Sequence, residues 1–193
     1  MSLLRTDQIL EFYFTADDLS RIGSDANQCL IGGRGFHRPD HERLQKLYED
    51  NVVGLIGNYC LSRWWSGSDE PYNVLRDEQN KSPFKGDGGQ DLPGCQVDVK
   101  CSLMKGSSDP LNYRLFVNEV ARKKGSTYVL ALIDSDSLES MRDTLKAGQL
   151  IRVFLVGWIE EKNIPHVMNV GRSYEVGAKE LLPMIPLPFA KAA

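Results

Sequence analysis

The chain has 193 residues, 41% hydrophobic and 25% charged, with a net charge of −3, a composition that suits one ordinary soluble domain with a sizeable core. The mild acidity argues against indiscriminate nucleic-acid binding but leaves local basic patches open. No apolar run reaches the length of a membrane span, no signal architecture opens the chain, and Cys29, Cys60, Cys95 and Cys101 lack zinc-ribbon spacing, so reduced thiols and a cytoplasmic setting are expected.

Residues 1–14 carry few turn signals, and Phe12-Tyr13-Phe14 should pack on the body. Thr15 reads as the N-cap of a short helix with Asp17 and Asp18 in its first turn, and Gly23 is expected to end the first part of that helix. The segment Gly32–Arg38 is a basic glycine loop in which Arg34 and Arg38 could meet phosphate or simply connect two helices. Pro39 is suited to open the longest helix, which should run to about Trp64. Leu44, Leu47, Tyr48, Leu55, Ile56 and Tyr59 recur at three-and-four spacing as its core stripe. Gly54 and Gly57 weaken that helix, which implies close packing against another element. Residues 66–85, rich in Ser, Asp, Asn and Pro, read as a long loop.

The stretch from Gly86 to Ser102 organises the rest of the chain: a glycine-rich approach, a short strand, a Pro93-Gly94 turn of type II chemistry, and a second strand. In the second strand Val97, Val99 and Cys101 point to one face, and Gln96, Asp98, Lys100 and Ser102 to the other. A two-residue turn between Leu92 and Cys95 places Asp91 opposite Gln96, on the face of Asp98 and Lys100. Two carboxylates and an amine on one rigid hairpin have the make-up of a metal site with a catalytic lysine. The competing interpretation of such alternation is a solvated strand edge.

Downstream, Tyr113–Val117 reads as a strand, followed by a connector containing Arg122, Lys123 and Lys124, which is either a DNA-backbone contact or a solvated turn. Thr127–Ile133 and Leu150–Gly157 are near-continuous apolar runs expected as central strands buried on both faces. Ser137–Gly148 should be a helix, Tyr174–Val176 an edge strand and Lys179–Leu182 a short final helix.

Asp91, Asp98-Val99-Lys100 and the preceding Gly86-Asp87-Gly88-Gly89 together resemble the signature of the PD-(D/E)xK, or restriction-endonuclease-like, nuclease superfamily. Gly54-Leu55-Ile56-Gly57-Asn58-Tyr59 resembles the Gly-x-x-Gly-Glu helix segment that often precedes the hairpin, with Asn58 standing where relatives carry Glu. Ile151–Gly157 with Trp158-Ile159-Glu160-Glu161 resembles a late strand common in phage and plasmid members, and Leu181-Leu182-Pro183 also recurs there. The resemblance implies a mixed central β-sheet flanked by helices, in a single domain over residues 1–193 with an N-terminal helical part at 1–65 and the catalytic sheet at 86–176.

Hard carboxylate oxygens suit Mg²⁺ or Mn²⁺. The resemblance implies Mg²⁺, with Mn²⁺ as substitute, held by Asp91, Asp98 and the Val99 carbonyl, polarising a scissile phosphate and activating water for in-line attack. Lys100 would orient that water or stabilise charge on the phosphorane-like oxygens. Gln96 is either a partner of the nucleophile or a spectator, Asn58 a supporting ligand to water, and Asp87 the alternative first carboxylate. The implied activity is metal-dependent DNA endonuclease, with DNA as partner, no membrane, and a homodimer left open. A non-cleaving nucleic-acid-binding or assembly protein of the same fold is the second reading, favoured by Asn58, and an RNA-directed nuclease the third.

Overall fold

The computed structural model describes residues 3–32, 41–81, 91–166 and 172–185. Strand β1 (Leu10–Phe14) precedes helices α1 (Ala16–Gly32), α2 (His41–Ser66) and α3 (Glu70–Lys81). Then come β2 (Val97–Leu103), β3 (Arg114–Asn118), β4 (Thr127–Ile133), α4 (Leu138–Lys146), β5 (Ile151–Glu160) and β6 (Ser173–Gly177). Four strands form a mixed sheet in the order β1-β5-β4-β2, in which β5 is antiparallel to both neighbours and β2 is parallel to β4. β3 and β6 make a separate antiparallel pair. The architecture is mixed α/β, with a four-stranded sheet flanked by helices.

Every residue of β4 is buried, as its uninterrupted apolar run requires of a strand covered on both faces. Val129, Ala131 and Ile133 face a core shared with Ile22, Ile56, Tyr59 and Met141 of the helices. Tyr128, Leu130 and Leu132 face a second core with Leu115, Val117 and Val176 of the small sheet. Consequently β6 is not an edge of the main sheet but part of the layer that covers its other face.

Helix α1 begins with a reciprocal cap: Thr15 Oγ1 accepts from the Asp18 amide at 3.2 Å, and Asp18 Oδ2 accepts from the Thr15 amide at 2.9 Å. It continues through Gly23 instead of ending there, because that glycine answers a steric need: an added Cβ would lie 2.9 Å from Tyr48 Oη on α2. In α2, burial starts at Val52, and Leu44 and Leu47 are 40% and 41% exposed, so the expected stripe holds only where the helix lies over the sheet. The stretch expected as loop contains α3, with Pro71 in its first turn, where a missing amide is tolerated. Tyr72, Leu75, Arg76 and Gln79 recur at helical spacing, and the first three are buried. The expected final helix is one 3₁₀ turn, Ala178–Glu180, after which Leu182 bridges to Trp158. No helix among the described residues is long and apolar enough to cross a membrane.

Candidate active site

The parallel pairing of β2 with β4 leaves β2 at the rim of the sheet. In a parallel ladder alternate residues turn both backbone groups to the same neighbour. The Gln96 carbonyl accepts from the Thr127 amide, which assigns the even-numbered residues to β4 and turns Val97, Val99 and Cys101 towards the open edge. Asp91 docks on that edge. Its amide donates to the Val97 carbonyl at 2.8 Å, and its Oδ2 accepts from the Val99 amide at 2.6 Å.

The turn that delivers Asp91 has the expected chemistry: the Cys95 amide donates to the Leu92 carbonyl, and Gly94 has φ of +73°, which only glycine adopts freely. The register beyond it differs from expectation. Leu92 pairs with Cys95, yet Asp91 pairs through its backbone with Val97, so Gln96 and Val97 together oppose one residue as a β-bulge. Asp91 therefore reaches Asp98 around the strand edge and not across a shared strand face. The bulge also leaves Gln96 exposed, against Gly125, where it lines neither of the two recesses that open beside β2.

Helix α2 packs on β2 at Gly57, where an added Cβ would sit 2.9 Å from both Val99 Cγ1 and Cys101 Cβ. This close approach brings Asn58, one residue on, to a recess of about 270 Å³ lined also by Asp91, Asp98, Val99, Asp50, Arg76 and Gln79. Asp91, Asp98 and Asn58 are 5%, 8% and 9% exposed. Lys100 donates from Nζ to Asp98 Oδ2 at 2.7 Å and lies in an adjoining recess of about 560 Å³, which shares Asp50, Gly54 and Val99 with the first. Lys105, Arg114 and Phe116 line that second recess.

The structure thus brings together Asp91, Asp98, Val99, Lys100 and Asn58. Asp87, Arg34 and Arg38 lie outside the described residues. Of the basic connector, Arg122 is committed elsewhere: Nε donates to Glu161 Oε1 at 2.7 Å and the guanidinium lies 4.4 Å from the Tyr174 ring centroid. The Lys123 amide donates to Tyr128 Oη, Lys124 is exposed, and none of the three lines either recess.

Sequence reasoning missed Asp50, Arg76, Gln79, Lys105 and Arg114. Asp50, Gly54 and Asn58 succeed each other at four-residue spacing, the run that keeps one side of a helix, and this signal was available. Arg76 is concealed by the loop-like composition of its segment. Among the described residues no group of three or more His, Cys, Asp or Glu side chains is gathered closely enough to hold a metal ion.

Burial pushes the thiol of Cys101 up to about 12, against hydrogen bonds from the Gly57 and Ser102 backbone that pull it down. Cys60 is likewise raised by burial. Neither has the depressed pKa of a nucleophilic cysteine, and all four cysteines are free thiols. Comparison with protein-family models, curated proteins and solved structures gave no match.

Proposed function

We propose that the chain is a metal-dependent DNA endonuclease of restriction-endonuclease-like fold. The observation that carries this reading is the convergence of Asp91, Asp98 and the open-edge residue Val99 in one recess, with Lys100 bonded to Asp98 at the boundary of the next. These donors are all oxygens, the set a hard divalent cation takes. They fit Mg²⁺ held by the two carboxylates and the Val99 carbonyl, with remaining positions left to water and phosphate. When bound, Mg²⁺ supplies Lewis-acid stabilisation of charge on a phosphoryl oxygen.

The residues of the chain divide the remaining work. Asp98 holds the Lys100 ammonium at 2.7 Å, so the amine is positioned for a phosphate oxygen or an attacking water. The Val99 amide fixes the Asp91 carboxylate. Asn58 offers a carbonyl oxygen and two amide hydrogens but no charge. The second recess, with Lys105 exposed on it and Arg114 paired there with Glu175 at 2.9 Å, extends the track beside β2 in the manner of a backbone-binding groove.

A non-cleaving nucleic-acid-binding protein of the same fold is the second reading. It is favoured by the neutral Asn58 and by the two-carboxylate donor set. The two readings part in one experiment. Supercoiled plasmid, linear duplex, single-stranded DNA and RNA are incubated with the protein in Mg²⁺, Mn²⁺ or EDTA. Metal-dependent nicking of DNA that Asp98→Ala and Lys100→Ala abolish supports the endonuclease; binding without cleavage in every metal supports the alternative.

A further inference from the structure

Among the described residues, Arg76 is a buried cation without a carboxylate partner. It is 9% exposed, yet no described carboxylate lies within ion-pair distance of it. Its NH1 donates to the Cys29 thiol at 3.3 Å, its guanidinium lies 5.7 Å from the Tyr72 ring centroid, and its Nε has no hydrogen-bond partner among the described residues. A thiol sulfur is a weak acceptor for a group that carries five donors in a fixed fork. Buried charges are ordinarily paired, because an unsatisfied one keeps its desolvation penalty. A leucine at this position of α3 would fill the same helical stripe at no such penalty.

Arg76 also lines the recess that holds Asp91 and Asp98, and Gln79, one turn further along α3, lines it too. The recess therefore combines the carboxylates of Asp50, Asp91 and Asp98 with one guanidinium and the amides of Asn58 and Gln79. A fork of N–H donors matches a tetrahedral oxyanion, and Arg is well suited to bind phosphate in this way. We propose that Arg76, aided by Gln79, is a phosphate-recognition residue that takes a non-bridging oxygen of a nucleic-acid phosphate entering this recess. This rests on the nuclease reading for the identity of the ligand, but the anion site itself does not require catalysis.

The test is made on the full chain in EDTA, where metal-dependent cleavage is silent. Inorganic phosphate is titrated and followed by ³¹P NMR line width, and is then used to compete against a fluorescein-labelled DNA duplex in a polarisation assay. Wild type should bind phosphate and release DNA as phosphate rises. Arg76→Gln should lose about ten- to a hundredfold in phosphate affinity, the size of a charge-assisted hydrogen bond, and Gln79→Ala a smaller factor. Arg76→Lys, which keeps the charge and loses the fork, should fall between and provides the readout if Arg76→Gln fails to fold. Equal phosphate binding in wild type and the Arg76 variants, or none in wild type, overturns the proposal and leaves Arg76 a packing residue. Phosphate binding lost in Arg76→Gln with unchanged DNA affinity overturns the assignment to a strand phosphate. Arg76-dependent binding of both ligands by a protein that cleaves nothing in Mg²⁺ supports this site and removes only the nuclease reading.

Discussion

Asp91 Oδ2 accepts the Val99 amide at 2.6 Å, so the side chain proposed as the first metal ligand also closes an open hydrogen-bonding position on the edge of β2. The structural role and the proposed metal role of this one carboxylate are separated by two substitutions. Asp91→Asn keeps an acceptor for the amide and loses the charge; its urea midpoint should stay near wild type while Mn²⁺ binding by calorimetry drops. Asp91→Ala leaves a buried amide unpaired and should be destabilised by about 1–3 kcal/mol. Equal Mn²⁺ binding in wild type and Asp91→Asn would move the metal away from this residue.

The two glycines of α2 should answer oppositely to the same change. At Gly57 a methyl group would meet Val99 and Cys101 of β2 at 2.9 Å, so Gly57→Ala should force helix and strand apart and cost about 1–3 kcal/mol. At Gly54 nothing lies within 4 Å, and Gly54→Ala should stabilise by up to about 1 kcal/mol through helix propensity alone. Paired denaturant titrations decide it; a neutral Gly57→Ala would contradict the packing that brings Asn58 to the recess.

These glycines also show where the sequence was readable. Helix, turn and buried strands emerge from periodicity, from Pro93-Gly94, and from apolar runs in β4 and β5, because each is a local consequence of side-chain chemistry. The bulge at Gln96 is different: it depends on Asp91 finding the Val97 carbonyl and Val99 amide, a long-range fit that alternation alone does not encode. α3 is hidden because its Asp, Asn and Pro content, and the serines that flank it, outweigh a short apolar stripe that includes an arginine. Nine residues at about 100° each put Glu49 on the opposite side of α2 from Asn58, whereas Asp50 shares the side of Asn58 through the four-residue spacing of Asp50, Gly54 and Asn58.

Acid should weaken the packing of α1 on α2 through Asp18. Burial alone would raise its pKa, but hydrogen bonds from the Thr15 amide and hydroxyl and from Tyr59 Oη, with Arg63 nearby, hold it below the ordinary value. A depressed folded-state pKa means the stabilisation is complete above the unfolded carboxylate value of about 3.9 and vanishes as pH falls through the folded one. Asp18→Asn should therefore be less stable than wild type at about pH 6, with the gap closing at about pH 2. Urea midpoints across that range provide the check, and a gap that widens in acid would reverse the sign.

Two basic residues should separate binding from folding. Lys105 is exposed on the recess beside Lys100, so Lys105→Ala should weaken DNA binding in EDTA and lower the salt-dependence slope by about one, with stability unchanged. Arg122 is held by Glu161 and Tyr174, so Arg122→Ala should lower the urea midpoint without changing that slope. A slope that responds to Arg122 and not to Lys105 would place the nucleic acid on the connector instead of along β2.

Asn58 and Glu49 occupy different sides of α2, and only Asn58 lines the recess with Asp91 and Asp98. Glu49 accepts from Gln45 Nε2 at 2.8 Å, a solvent-side pair four residues apart. Asn58→Glu should add a fourth carboxylate to Asp50, Asp91 and Asp98 at the recess and tighten Mn²⁺ binding by about tenfold, since cation affinity rises with the number of charged ligands. Without metal the same variant should be less stable than wild type, because Asn58 is 9% exposed and a carboxylate in its place must be desolvated near three others. Added Mn²⁺ should recover that loss through preferential binding to the folded state. Glu49→Ala should leave both Mn²⁺ affinity and stability nearly unchanged. Asp50→Asn tests the remaining acid of α2: it is exposed where both recesses meet, so its loss should weaken Mn²⁺ binding less than Asp91→Asn does. Calorimetry with Mn²⁺ on the four variants orders them, and a larger loss in Glu49→Ala than in Asp91→Asn would show that the metal binds on the opposite side of the helix.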